Sequence, residues 1–132
     1  MSDTLKVCGL TVERGTKLRT YLPVPDTNVK IPLTIINGEK DGPTLLITAG
    51  IHGGEYPGIA AAMELGRDIE PEHVAGCLIM MHPVNIQGFW ARREMIVPED
   101  GKNLNRVFPG DPLGTLADKT AYLISSNFFP IA

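Results

Sequence analysis

Apolar and polar positions divide the chain into a few distinct stretches. Leu45-Leu46-Ile47-Thr48-Ala49 is a short apolar run behind the turn residues Asp41-Gly42-Pro43, which predicts a buried strand. Gly50-Ile51-His52-Gly53-Gly54-Glu55 breaks the run. A helical spacing follows, with Ile59, Ala62 and Met63 on one face. Pro57 fits the first turn of that helix, where its missing N–H costs nothing. Asp68-Ile69-Glu70-Pro71 ends the pattern, and residues 76–81 (GCLIMM) predict a second buried strand. Strand, helix and strand within about forty residues predict a parallel, right-handed βαβ unit.

Upstream, residues 5–10 and 17–22 predict short strands separated by Glu13-Arg14-Gly15. Val29, Ile31, Leu33 and Ile35 then alternate with Lys30, Pro32, Thr34 and Ile36, which predicts a half-buried strand. Pro32 places that strand at an edge or in an irregular pairing. Asn37-Gly38 is a hairpin signal leading into the first apolar run. Downstream, periodicity vanishes over residues 87–110. It returns where Leu116, Thr120, Leu123, Ile124 and Phe128 share a face that Thr115 can cap. The fold class that follows is α/β: antiparallel N-terminal strands leading into a βαβ unit, in a mixed β-sheet flanked by helices. The expected organisation is a β-rich lead-in over residues 1–40 and an α/β unit over residues 41–132.

Composition narrows the functional classes. Hydrophobic residues make up 43% of the 132 and charged ones 20%, ordinary values for a soluble globular protein. The net charge of −3 gives no electrostatic case for nucleic acid or an anionic membrane, so neither is expected as a partner. The first fifteen residues lack a basic segment followed by an apolar core, and no apolar stretch reaches membrane-span length. A cytoplasmic location is expected, with Cys8 and Cys77 as reduced, buried thiols.

The candidate chemistry starts at the break after the first apolar run. Open α/β sheets place ligand sites at the carboxyl ends of their strands. There His52 offers an imidazole nitrogen and Glu55 a carboxylate, both usual zinc ligands. One turn can bring both to one ion, with Gly53 and Gly54 leaving room for it. The glycines match no phosphate-binding motif. Taken alone, the pair also fits an exposed loop histidine and a glutamate favouring a helix N-terminus by its charge. The irregular segment adds Arg92, Arg93, Asn103, Asn105 and Arg106. A guanidinium takes a carboxylate through two parallel hydrogen bonds, and an arginine beside a metal can stabilise an oxyanion. As isolated residues, the same arginines fit a solvated surface. His73 lies in a connecting loop and is expected to be exposed; His82 follows a buried strand and is expected to pack or to support the site.

Three stretches together carry a resemblance: His52-Gly53-Gly54-Glu55, Asn85-Ile86-Gln87-Gly88-Phe89, and residues 98–110 (PEDGKNLNRVFPG). They resemble the succinylglutamate desuccinylase/aspartoacylase family, which is similar to the zinc carboxypeptidases. The resemblance runs from about Gly15 to the end of the chain. It implies a zinc-carboxypeptidase-like mixed sheet and one zinc ion used to hydrolyse the amide of a small N-acyl amino acid or related compound. It implies His52 and Glu55 as the first two zinc ligands, Asn105 and Arg106 as the pair holding the substrate carboxylate, and Arg92, or alternatively Arg93, as the carbonyl-polarising arginine.

The family also uses a third ligand, a histidine, and a later glutamate as general base. After Arg106 this sequence contains neither residue type. The expectation is an N-terminal part of a longer zinc hydrolase, inactive alone and prone to self-association. The alternative is a non-catalytic metal- or ligand-binding module keeping half of the site.

Overall fold

The computed structural model describes residues 3–132. Strands β1 (Thr4–Val7) and β2 (Leu10–Glu13) form an antiparallel two-stranded sheet. The turn joining them holds Cys8 at a φ of 50°, exposed rather than buried as the sequence suggests. Strands β3 (Thr16–Pro23), β4 (Lys30–Asn37), β5 (Lys40–Thr48) and β6 (Ala75–Met81) form one mixed sheet in the order β3-β4-β6-β5. Helices are α1 (Tyr56–Asp68), α2 (Ile86–Trp90) and α3 (Leu116–Asn127). The strands expected at 5–10 and 17–22 correspond to the turn-divided β1 and β2 and to β3.

The βαβ unit is present: β5 and β6 are parallel neighbours joined through α1. The hairpin expected at Asn37-Gly38 is not. β6 lies between β4 and β5, antiparallel to one and parallel to the other. Asn37 and Thr44 both sit opposite Cys77, and the register breaks between Lys40 and Thr44. That irregular stretch lets the chain diverge after β4 and admits β6. Consequently β5 is an edge strand, not a buried one, and Leu45 is 54% exposed.

Pro32 lies in an interior strand, which excludes the edge, one of the two placements expected for it. Its carbonyl accepts the His82 N–H at 3.0 Å, just past the last paired residue of β6. A strand residue aims its nitrogen and carbonyl to the same side. Pro32 therefore lacks an N–H only where the ladder has already ended.

Strand alternation divides the core. Ile31, Leu33 and Ile35 of β4, with Ile79 and Met81 of β6, face Leu116, Ala117, Ala121, Ile124 and Phe128 of the α3 region. On the other face Ile36 and Met80 pack with Val74, Ile47 and Ile69. α1 buries Ile59, Ala62 and Gly66, while Met63, expected on this face, is 46% exposed. A side chain at Gly66 would meet Thr34 Oγ1 at 2.9 Å, so the small residues set how closely α1 approaches β4. Lys17 of β3 closes the far end of α1. Its ammonium donates to the carbonyls of Gly66, Arg67 and Ile69 at 2.7–3.1 Å, where the helix carries free acceptors.

α3 starts as its sequence predicts: the Thr115 N–H donates to Asp118 Oδ2 at 3.0 Å. Phe128 is fully buried and Phe129 is 52% exposed, so only the second leaves apolar surface open. No helix among the described residues is long and apolar enough to cross a membrane.

Candidate functional site

The two parallel strands deliver their exits side by side. Beyond them, Ala49 N–H donates to Met81 O, Val84 N–H to Ala49 O and Asn85 N–H to Gly50 O, each at 2.9 Å. This pairing carries the two segments together past the sheet edge, the position where α/β folds place ligands. Buried Asn85 then turns the second segment into α2. Its Oδ1 accepts the Gly88 N–H at 2.9 Å, and its Nδ2 donates to Ile96 O at 3.1 Å. α2 is absent from the periodicity, because five residues are too few to show one.

The first segment lays residues 50–55 against α2 and the turn after it. A side chain on Gly53 would meet the Gly88 carbonyl carbon and the Phe89 nitrogen at 2.4–2.5 Å. One on Gly54 would meet Glu94, whose carbonyl accepts the Gly54 N–H at 3.3 Å. These glycines thus permit backbone-to-backbone packing. That is a different role from the one their position beside His52 suggests, which is to clear space for an ion.

On this support His52 and Glu55 converge, with Nδ1 of one 3.1 Å from Oε1 of the other. The His52 side chain is 15% exposed and that of Glu55 70%. His52 Nε2 lies 2.9 Å from Asn103 Oδ1, which also accepts the Asn105 N–H at 3.0 Å. The Asn103 contact first, and the Glu55 contact second, push the His52 pKa up, while the nearby Arg106 charge opposes them. Physically, a neutral imidazole has one N–H but faces two acceptors. Proton or cation must sit between His52 Nδ1 and Glu55. The donor set therefore fits a cation such as zinc, from two ligands. Among the described residues no third His, Cys, Asp or Glu joins them.

Leu104–Arg106 forms a one-turn 3₁₀ segment, capped by Asn103 and anchored by buried Leu104. The Asn105 and Arg106 side chains are exposed and hold no hydrogen bond or ion pair among the described residues. Arg92 and Arg93 are likewise exposed and uncommitted, in the turn that follows α2. Arg92 has a φ of 55°, and its N–H donates to Phe89 O at 3.3 Å. The structure thus brings His52, Glu55 and the 103–106 turn together. It docks the turn bearing both arginines beside them through Glu94, without a hydrogen bond or ion pair from either guanidinium to His52 or Glu55 among the described residues. Asn103 is the member that sequence reasoning left without a role, although it lies in the same block as Asn105.

Other candidates fall outside the cluster. Buried His82 holds Nε2 2.8 Å from Thr34 Oγ1, a packing role, and burial pushes its pKa down. His73 is exposed, as its loop position suggests. A large open cleft of about 1630 Å³, lined by Tyr21, Met63, Gln87 and Trp90 among others, includes neither His52 nor Glu55.

Comparison with known proteins bears on the family. The family description "Succinylglutamate desuccinylase/Aspartoacylase catalytic domain" matches residues 41–131. The N-alpha-acetyl-L-2,4-diaminobutyric acid deacetylase of Halomonas elongata is 39% identical over 119 residues, covering 85% of this chain and 34% of that protein. The product-bound ectoine utilization protein EutE (DoeB) of Ruegeria pomeroyi superposes with a TM-score of 0.81 at 36% identity, covering 88% of this chain and 37% of that one. A succinylglutamate desuccinylase/aspartoacylase from Rhodobacter sphaeroides does so with a TM-score of 0.78 at 36% identity and the same coverage. This chain spans about a third of the length of these relatives. The family match over residues 41–131, more than half of the chain, leads to one conclusion: the chain belongs to the succinylglutamate desuccinylase/aspartoacylase family.

Proposed function

We propose that this chain supplies the first part of the site of a zinc-dependent hydrolase that removes an acyl group from a small N-acyl amino acid or related amide. The observation that carries the proposal is the convergence of His52 and Glu55 at the strand exits, beside a turn with two uncommitted polar side chains. His52 and Glu55 hold the metal. When bound, zinc supplies a water of lowered pKa and polarises the scissile carbonyl. Asn105 and Arg106 take the substrate carboxylate, Arg106 through a two-pronged contact that also sets the direction of the amide bond. Arg92, or Arg93 beside it, approaches from the turn after α2 and stabilises the oxyanion. Deacylation of an N-acyl amino acid is supported by the names of the relatives, one an acetyl-diaminobutyrate deacetylase.

The test is hydrolysis of N-acetyl and N-succinyl amino acids by a polypeptide of the relatives' length carrying this chain. Chelation and His52→Ala should each abolish turnover. Arg106→Ala should raise KM by roughly 10- to 100-fold, the scale of a charge-assisted hydrogen bond of about 1.5–3 kcal/mol. Turnover that survives both chelation and His52→Ala contradicts the proposal. The 132-residue chain by itself, with two ligands instead of three, should show no appreciable hydrolysis.

A further inference from the structure

The exposed turn that presents Asn105 and Arg106 takes its place from α3, and Asp100 supplies the upstream tie. Residues 97–102 close into a loop just before that turn: the Val97 N–H donates to Lys102 O and the Gly101 N–H to Val97 O, each at 2.8 Å. Half-buried Asp100 gathers three donors there. Its Oδ1 accepts the Lys102 N–H at 3.0 Å, within the loop. Its Oδ2 reaches the first turn of α3, accepting the Ala117 N–H at 2.8 Å and the Thr115 hydroxyl at 2.7 Å. The Ala117 N–H is one of the helix donors without an intrahelical partner, and negative charge is favoured beside it. The Lys102 ammonium adds a second tie, to Asp118. Downstream of the turn, the Asp111 N–H donates to Asp118 O at 3.1 Å, and a side chain on Gly110 would strike that same carbonyl. Both flanks of the turn thus rest on α3, which is itself buried against β4 and β6.

We propose that Asp100 is a positioning residue: by clamping the 97–102 loop to the first turn of α3, it holds Asn105 and Arg106 in place for the substrate carboxylate. The carboxylate half of this inference rests on the proposed function above. The clamp does not, and the two are separated by experiment. Asparagine has the shape of aspartate but only one accepting oxygen. Its NH₂ group would face an N–H or hydroxyl donor, so one side of the clamp opens. Asp100→Asn therefore removes the clamp without removing volume.

The experiment uses the 132-residue chain as wild type, Asp100→Asn, Asp100→Ala and Ile124→Val. The last lowers stability within α3 and leaves the clamp intact. Amide exchange compares the Arg106 N–H, which donates to Asn103 O at 2.9 Å, with the strand interior at Ile79. Relative to Ile79, Arg106 protection should fall about 10- to 100-fold in both Asp100 variants, the scale of one charge-assisted hydrogen bond, and stay at the wild-type ratio in Ile124→Val. If neither Asp100 variant folds, Thr115→Val, which deletes the hydroxyl donor and keeps the carboxylate, should loosen Arg106 in the same direction. Unchanged Arg106 protection in the variants that fold overturns the clamp. In a polypeptide of the relatives' length, Asp100→Asn should lower kcat/KM for an N-acetyl amino acid through KM, as loss of substrate binding does. A loss confined to kcat, or none, overturns the positioning role. If the wild type of that length does not hydrolyse the amide, the proposed function falls, and amide exchange alone decides for or against the clamp.

Discussion

At the scale of single residues, the sequence shows the proposed ligand pair because its spacing is local. His52 and Glu55 lie within one turn, and the structure places them 3.1 Å apart. The contact between Asn103 and the His52 ring is not legible, because the two residues are 51 positions apart and only the folded sheet brings them together. Gly53 is half legible: the sequence marks a turn, and the structure shows that α2 fills the space a side chain would need. Gly53→Ala should therefore destabilise the chain by about 1–3 kcal/mol, the usual scale of overpacking, and displace the turn. Denaturant unfolding measures the first, and loss of the Gly54 N–H protection the second. An alanine variant as stable as wild type would mean that the turn does not rest on α2.

His82 gives a pH prediction with a definite sign. Burial lowers its folded pKa, so between that value and the unfolded value of about 6.5 the unfolded chain binds more protons. The His82 contribution to stability is thus present above the unfolded value and is lost as pH falls through the folded one. His52, with a raised pKa, works in the opposite direction and is common to both proteins compared. Thermal melts across this range should therefore show a steeper acid loss in wild type than in His82→Asn. Parallel curves would remove the buried neutral imidazole from the account.

At the scale of elements, periodicity reveals the βαβ unit and α3, both long enough to repeat an apolar spacing. It does not reveal sheet order. Asn37-Gly38 has the chemistry of a hairpin turn, but the irregular stretch before Thr44 and the apolar β6 win the place beside β4. That order leaves the outer edge of β5 without a partner strand among the described residues, with Leu45 half exposed on it. Unpaired edges template pairing with other chains. Light scattering across a concentration series should show self-association, weakened by Leu45→Lys, which places a charge on the edge. A monomer at every concentration would indicate that the β5 edge is protected in solution.

At the scale of the whole molecule, the family is legible from short blocks because residues 52–55, 85–89 and 98–110 converge on one sheet edge. Chain length sets what that edge can do alone. This chain spans about a third of its relatives, and two ligands hold a metal less firmly than three or four. Four-ligand structural zinc sites contribute on the order of 10 kcal/mol or more, and two ligands should give only a fraction of that. Calorimetric titration of zinc into the 132-residue chain, beside His52→Ala and Glu55→Ala, tests the central claim most directly. The account predicts weak binding to the wild type that either substitution removes. Binding that is absent from the wild type, or unchanged by both substitutions, would contradict it.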